Sequence, residues 1–507
     1  RSGAPGGITS LFVRGGESSG NAVYLDGIPL NEPGGPVNVG TLSSDGLARI
    51  ELVRGAQSAL FGSDALASVI RLVSANASPT DGGRPHVQAA AEAGAFGTTR
   101  VRGTVGAARD RWDYLVTGSR LRTDNAVPNS AFTDTLVGVN AGVRLSDRRS
   151  LRTVWRSQLG DSGTPGQTLY GRPDLDARFA QRQHVMGVTF EQRGSTGWHQ
   201  QASYGLTVTR QHSTNRVIDP SFVPAYGDSR ADFIWDDYPY DLLNRFTRHY
   251  AAYQLDRQWH ASGRVGGVHT LTTRADWTGE DAMLDDRLAP DTLEAHRRNG
   301  GLALQHEALW SRVATVTSAR VERNASFGTA VVPRGSAVLT LRQHQGTLGD
   351  TRLRASAGLG IKEPTTLQSF SRSPYYAGNP SLRPERSQSV DLGLEQRAAH
   401  DRLKVSATWF AATYRDIIGL RPSGIYTSTF DNIGRTVAHG LEGELEAAPM
   451  PTIHVSVTYT FTASEIREST SAYSPVFAVG ASAFRRPRHV GHVQVAWQRA
   501  RWSAHLL

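Results

Sequence analysis

The chain has 507 residues, of which 39% are hydrophobic, with a formal net charge of +9 and no cysteine. Its mean hydropathy is −0.37, and it has no run of about 18 apolar residues, the length a helix needs to cross a bilayer. A helical membrane protein is therefore excluded, but a membrane β-barrel is not, because its strands alternate lipid-facing and lumen-facing residues. The arginines are scattered singly, which argues against a nucleic-acid surface. The lack of cysteine slightly favours the bacterial envelope.

The first 77 residues have the pattern of a small α/β unit. Apolar runs that end at glycine turns predict short strands, and a Asp-Gly pair between two of them predicts a hairpin. Apolar residues near helical spacing, followed by glycine, predict a short helix. The stretches are "SLFVRGG" (Ser10–Gly16), "AVYLDGIPLN" (Ala22–Asn31), "LARIELVRG" (Leu47–Gly55) and "AQSALFGSDAL" (Ala56–Leu66).

Residues 78–85 are rich in Pro and Gly and predict a linker. Beyond them, residues 86–507 are dominated by two-residue alternation, as in "IHVSVTYTFTAS" (Ile453–Ser464). The alternating runs predict strands of about ten residues, roughly 16–18 of them, which suits a membrane barrel better than a soluble sandwich. Short turns alternate with long connections, notably Gln211–Arg248 and Pro364–Ser387, as in outer-membrane barrels.

Two short motifs have a chemical interpretation that the rest of the chain does not support. "GDSG" (Gly160–Gly163) is similar to a serine-protease loop, but the chain has no cysteine and no histidine in the expected order, so a polar turn is preferred. "DWTGEDAMLDD" (Asp276–Asp286) is acidic enough for Ca²⁺ but lacks EF-hand spacing, so a solvated acidic loop is preferred. We therefore predict no catalytic residue, no cofactor and no metal site.

Several longer stretches resemble the TonB-dependent outer-membrane receptor family, of the cobalamin or siderophore receptor type. In the first unit these are "LFVRGG", "VYLDGIPLN" and "ARIELVRGAQSALFGSDALASVIRLVS". In the second they are "GIKEPTTLQSF", "GNPSLRPERSQSVDLGLE" and "DNIGRTVAHGLEGELE". The resemblance implies an all-β transmembrane antiparallel β-barrel with a small N-terminal α/β plug domain inside the lumen. The domains would be a plug at 1–77, a linker at 78–85 and a barrel at 86–507.

The function implied is that of a Gram-negative outer-membrane receptor, not an enzyme, which binds and imports a scarce bulky nutrient such as a ferric siderophore or vitamin B12. Its partners would be outer-membrane lipid, a small-molecule or metal-chelate ligand, and the inner-membrane TonB complex through a segment upstream of Arg1. We expect a monomer. Both chain ends have the pattern of truncation, which predicts a gap or an unpaired edge in the barrel. The alternatives are a passive porin or adhesin barrel and a secreted soluble β protein.

The resemblance also implies how the plug is held. In the family, two plug arginines pair with two barrel acids at positions that match Arg14, Arg54, Asp391 and Glu442. Alternation places Val390 and its apolar neighbours outward, so that both acids point into the lumen. We predict a buried cluster of the four residues, in which the short Asp391 makes a looser or water-mediated contact. The alternative is that each arginine binds only plug carbonyls.

Ligand contacts are expected in long outer loops and on the plug apices. The Gln211–Arg248 segment carries aromatic residues among aspartates, which suits a bulky amphipathic solute. The alternative interpretation is that these aromatic residues lie at the membrane interface. The predicted ligand-binding residues are Phe233, Trp235, Tyr238 and Tyr240 in this loop, with Glu17, Asn21 and Glu32 in plug turns that form the floor.

Overall fold

The structure is a computed structural model that describes residues 5–77, 83–166, 168, 171–263, 266–289, 292–343, 347–373, 376–424, 427–469 and 475–506. Most of the 78–85 linker prediction therefore lies outside the described residues. No helix in the described ranges has the length and apolar character needed to span a membrane.

The N-terminal unit is a four-stranded mixed sheet with a one-turn helix. Across the sheet the strands follow the order β2 (Ile28–Pro29), β1 (Asn21–Leu25), β4 (Ser68–Ser74) and β3 (Leu47–Arg54). Strand β1 is parallel to β4, and β3 is antiparallel to β4. Asp26 and Gly27 have positive φ angles of 49° and 86°, which suit the tight turn of the predicted hairpin. The helix is α1 (Ser58–Phe61).

One predicted strand of this unit is wrong. Ser10–Gly16 is irregular rather than extended in a sheet. Its backbone is held by side chains instead, since Ser18 Oγ accepts from Leu11 N at 3.1 Å and the Asn21 amide donates to Leu11 O at 2.8 Å. Such local side-chain bonds compete with sheet pairing.

The rest of the described chain is dominated by one barrel sheet of 20 strands, antiparallel except for the two-residue strand β20 (Tyr376–Ala377). The first half comprises β5 (His86–Gly94), β6 (Thr98–Arg109), β7 (Trp112–Thr123), β8 (Phe132–Ser146), β9 (Arg149–Gly163), β10 (Arg178–Arg193), β11 (Trp198–Asn215), the loop hairpin β12 (Ala225–Tyr226) and β13 (Ser229–Arg230), β14 (Tyr240–Ala261), β15 (Gly267–Asp286) and β16 (Thr292–Leu309). The second half comprises β17 (Val313–Asn324), β18 (Gly328–Arg342), β19 (Leu348–Lys362), α2 (Thr366–Phe370), β20 (Tyr376–Ala377), β21 (Glu385–Ala398), β22 (Leu403–Pro422), β23 (Ser428–Met450), β24 (Ile453–Glu468), β25 (His489–Arg499) and β26 (Trp502–Leu506).

The strands are longer than predicted, up to the 23 residues of β23. Neighbouring strands go on pairing beyond the ten or so residues that a bilayer requires. The predicted loop Gln211–Arg248 therefore shrinks to residues 216–239, since β11 and β14 take up its two ends. For the same reason Gly160–Gly163 belongs to β9 and Asp276–Asp286 to β15, so the polar turn and the acidic loop expected there are wrong.

The barrel wall shows the predicted alternation. On β21, Val390, Leu392 and Leu394 are each about half exposed on the outer surface, and Asp391 between them points into the lumen. The core of the plug continues into the wall, because plug residues such as Ile28 and Ile70 pack with Val154 and Val185 of the barrel. The α/β unit is thus a plug inside the lumen.

The expected gap in the barrel is wrong. The strand order closes on itself, with β26 beside β5. A large twisted sheet with tilted strands curls far enough for its outer strands to meet. All residues of β26 and nearly all of β5 are exposed, so this seam contributes little buried surface.

Candidate functional site

A large cavity lies at the long-loop rim of the barrel. Its volume is about 910 Å³, and it is lined by two connections, the 164–177 loop between β9 and β10 and the 216–239 loop between β11 and β14. Six aromatic side chains line it: Phe222, Tyr226, Phe233, Trp235, Tyr238 and Tyr240. The four aromatic residues singled out in the sequence thus meet in one cavity.

The aromatic wall is held by backbone bonds within the 216–239 loop. Trp235 N donates to Phe222 O at 2.7 Å, and Phe222 N donates to Trp235 O at 3.1 Å. Tyr238 and Tyr240 have ring centroids 5.9 Å apart. Trp235 is 48% exposed and Tyr238 is 65% exposed, so their faces are available to a solute. Neighbouring tyrosine and tryptophan rings with polar tips suit a partly apolar, partly polar ligand.

The three plug residues predicted as the floor lie elsewhere. Asn21 is only 2% exposed, and its side chain binds plug carbonyls and Ser68 Oγ, so it is not part of the cavity wall. Glu17 pairs with Arg486 at 2.5 Å. Neither residue lines the cavity, because the plug backbone turns each side chain toward a protein partner.

Glu32 lies below the cavity rather than in its wall. Its carboxylate accepts from Gln211 Nε2 at 2.5 Å. Gln211 is four residues from Asn215 on the same face of β11, and Asn215 lines the cavity, so Glu32 sits roughly 13 Å deeper along the strand. Burial raises the pKa of Glu32 to about 7, and the Gln211 bond opposes that rise.

A charged cluster joins the plug to the barrel. Arg14 Nε and Nη2 donate to the two carboxylate oxygens of Glu442 at 3.0 and 2.8 Å, and Nη1 pairs with Asp391. The side chain of Arg14 is 7% exposed and lies 4.9 Å from the centroid of the Phe410 ring. Tyr414 OH donates to Arg14 O at 3.2 Å. Arg14 and Glu442, 428 positions apart in the chain, thus form a bidentate ion pair.

Two details of the predicted cluster differ. Asp391 contacts Arg14 directly, so the looser or water-mediated contact is wrong. Arg54 is 49% exposed and 3.7 Å from Glu442, so it is not a buried member. The physical reason is the position of Arg54 at the end of β3, an edge strand of the plug sheet whose residues are largely exposed.

The plug has further anchors that the sequence did not single out. On β21 the lumen-facing Ser387 Oγ donates to Leu66 O at 2.6 Å, and Ser389 Oγ accepts from Ala56 N at 2.9 Å. Glu322 Oε2 accepts from Ser63 N at 3.1 Å. The two-residue alternation of "SQSVD" could have predicted these anchors, because it places both serines on the same lumen-facing side of the strand as Asp391.

A buried charged group lies beside helix α1. Arg248 pairs with Glu280 at 2.5 Å and lies 3.9 Å from Asp64 of the plug. Burial raises the pKa of the Asp64 carboxyl well above its usual range, and Glu363 adds to the rise. Together with the Arg14 cluster, this contact ties the plug to the wall on a second side.

A plugged barrel with an aromatic cavity at its long-loop rim defines a class of gated outer-membrane receptor. Both parts of the chain match models of one protein family. Residues 1–69 match the TonB-dependent receptor plug domain, and residues 111–506 match the TonB-dependent receptor-like β-barrel. The chain belongs to the TonB-dependent receptor family, whose members are receptors of the Gram-negative outer membrane rather than enzymes.

Solved structures share the fold at low sequence identity. The siderophore receptor PirA from Acinetobacter baumannii is 14% identical with a TM-score of 0.70, covering 96% of this chain and 77% of that one. PirA from Pseudomonas aeruginosa is 16% identical with a TM-score of 0.67, covering 97% and 88%. A mutant of the ferric enterobactin receptor PfeA from P. aeruginosa is 16% identical with a TM-score of 0.72, covering 96% and 77%.

Proposed function

We propose that this receptor binds a ferric siderophore in the cavity at its long-loop rim and imports it through the barrel. The observation that carries the proposal is the cavity of about 910 Å³ with six aromatic side chains. Its volume lies near the upper end of the roughly 300–1,000 Å³ of small-molecule sites. The names of the structurally similar siderophore receptors support the same ligand class.

Import requires the plug to move, because its core packs directly on the barrel wall. The Arg14 pair with Glu442 and Asp391 holds the plug in register until a force acts on it. The partner that supplies this force is the inner-membrane TonB complex, as in the family. The ion pairs act as orienting contacts between plug and wall, and Arg54 contributes from a more solvated position.

Ligand binding is tested by fluorescence titration of the detergent-solubilised protein with ferric catecholate and hydroxamate siderophores, the iron-free forms and vitamin B12. The chain has 10 tryptophans, so the signal of Trp235 is isolated with Trp235→Phe. Trp277→Phe is the matched control, since Trp277 is 43% exposed and outside the cavity. A ferric siderophore is expected to quench wild type and the control, and much less the Trp235 variant. Equal quenching of both variants, or saturable binding of vitamin B12 alone, would contradict the proposal.

The alternative of a passive porin or adhesin barrel predicts a different electrical behaviour. A barrel held shut by its plug is expected to show little conductance in a planar bilayer, whereas a passive pore conducts without any partner. Steady conductance of the wild-type protein at the level of an open porin would favour the alternative.

A further inference from the structure

Three arginines lie side by side on neighbouring strands of the barrel wall. In the strand register Arg182 of β10 is directly opposite Arg210 of β11, which is directly opposite Arg245 of β14. All three residues are exposed, and we call them the arginine row. Opposite residues on adjacent strands have Cβ atoms about 4.5–5.5 Å apart, and like charges in such pairs destabilise the sheet. The row is therefore unfavourable unless an anion lies among the three guanidinium groups.

The arginine row is on the outer surface of the barrel. On β11, Gln211 donates to Glu32 of the plug, and Thr207 Oγ1 donates to Pro29 O of the plug at 3.0 Å. Successive side chains of a strand point to opposite faces of the sheet. Arg210 therefore points away from the lumen, and the residues opposite it on β10 and β14 point the same way.

The described part of the chain provides no counter-ion for the row. Among these residues, no carboxylate oxygen lies within 4.0 Å of any of the three guanidinium groups. Asp241, on the same outer face, pairs instead with His212 at 2.7 Å. At its two ends the row meets Leu159 and Met283 in the strand register. The positive charges are thus flanked by apolar side chains rather than by acids.

The depth of the row along the barrel matches the headgroup region of the outer leaflet. Arg210 is near the long-loop end of β11, and Trp198, twelve residues earlier on the same face, begins that strand near the short-turn rim. A rise of about 3.3 Å per residue and a tilt of about 40° separate the two by roughly 30 Å along the membrane normal, slightly more than the apolar band of about 25 Å. The outer face between them is apolar, since Tyr204, Met186 and Val188 are 48%, 51% and 41% exposed. The row therefore begins where the apolar band ends.

We propose that the arginine row binds a phosphate group of a phosphorylated lipid in the outer leaflet. A guanidinium group donates two parallel N–H bonds to a phosphate, and several guanidinium groups can share its oxygens. The negative charge of the phosphate offsets the repulsion within the row. A lipid suits the place better than a free phosphate ion, because the exposed Met186 and Val188 lie on the membrane side of the row and offer a surface to acyl chains.

The bound lipid would lie beneath the ligand cavity. Strand β10 follows the 164–177 loop, and the 216–239 loop joins β11 to β14, so both loops that line the cavity are attached to strands of the row. A phosphate that bridges the three strands near their loop ends would hold those ends together. Lipid binding is therefore expected to slow hydrogen exchange in both loops.

The site is tested with bisphosphorylated lipid A, a phosphorylated lipid of Gram-negative outer leaflets, added to the full protein in a neutral detergent. Binding is measured by native mass spectrometry. The variants are Arg182→Gln and Arg210→Gln. The matched control is Arg323→Gln, since Arg323 is an exposed outer-face arginine of β17 that is opposite the uncharged Gly300 and Thr329.

Wild type and Arg323→Gln are expected to bind lipid A with similar affinity. Each variant of the row is expected to bind at least about tenfold more weakly, because a charge-assisted hydrogen bond to phosphate is lost. Absence of lipid A binding, equal binding of the same lipid without its phosphates, or wild-type affinity in both row variants would overturn the proposal. Inorganic phosphate that displaced the lipid at equal concentration would overturn it too, because the site would then be one for a free ion.

A second measurement tests the repulsion within the row. In detergent without lipid, Arg210→Gln is expected to melt no lower than wild type, because the substitution removes the central like charge. A lower melting temperature than that of Arg323→Gln would show that the protein itself stabilises the row, and would overturn the proposal. Neither measurement contains a siderophore, so failure of this proposal leaves the proposed ligand of the receptor untouched.

Discussion

Removing the Arg14 guanidinium should loosen the plug. In Arg14→Met the Glu442 and Asp391 carboxylates, only 12% and 15% exposed, would face each other without their main counter-ion. Breaking a buried pair by removing one partner costs about 3–5 kcal/mol. We expect the lower end of that range, because Arg54 remains 3.7 Å from Glu442 and compensates in part.

The measurement is hydrogen exchange of the plug strands β1 and β4 in the detergent-solubilised protein. At ~1.4 kcal/mol per factor of ten, a cost of about 3 kcal/mol raises the local opening equilibrium by roughly 100-fold. Arg54→Met is the matched control, since it removes the same group from a side chain that is 49% exposed. Its expected cost is at most about 1 kcal/mol, as for other solvated ion pairs.

Removing the acids together with the arginine should rescue the plug. Replacing Arg14, Asp391 and Glu442 together by Met, Asn and Gln removes the unpaired charge and should restore most of the protection. Equal acceleration by Arg14→Met and Arg54→Met would refute the reasoning. So would a coupling energy between Arg14 and Glu442 below about 0.5 kcal/mol in a double-mutant cycle, because contacting charges should not be additive.

Three further predictions concern other contacts of the plug. The folded pKa of Glu32, about 7, lies above its ordinary 4.5. The stabilising contribution of Glu32 is therefore full below about pH 4.5 and is lost as the pH rises through about 7, a loss of at most about 3 kcal/mol of stability. Relative to Glu32→Gln, the melting temperature of wild type should fall over that pH range. A Cβ at Gly205 would lie 2.7 Å from the Ile28 side chain. Gly205→Val should therefore lower the free energy of unfolding by denaturant by about 1–3 kcal/mol, and adding Ile28→Ala should relieve the clash. Arg486→Ala should speed hydrogen exchange in residues 10–20 by about tenfold, because the variant loses the 2.5 Å ion pair with Glu17 and the 3.1 Å bond to Gly15 O of the plug. Unchanged exchange there would show that the Arg486 side chain does not hold the plug.

The plug sheet and the barrel class were predictable because each depends on local pattern. The Asp26-Gly27 turn needs positive φ angles, and the structure has them. Two-residue alternation on β21 and β24 separates an outer apolar face from an inner polar one. The ends of strands were poorly predicted, because pairing between neighbours extended β11 and β14 into the expected loop. Nothing in the local sequence indicates how far a partner strand continues.

Alternation indicates that a side chain points inward but not what it meets. The sequence by itself placed Asp391 and Glu442 on the lumen face, whereas only the tertiary structure decided that Arg14 binds both and that Arg54 stays half-exposed. The same holds at the rim, where closure of the barrel brings Asp174 beside Asp237 from a different loop. The physical reason is that the curvature and register of the whole sheet set these distances, and both depend on all the strands together.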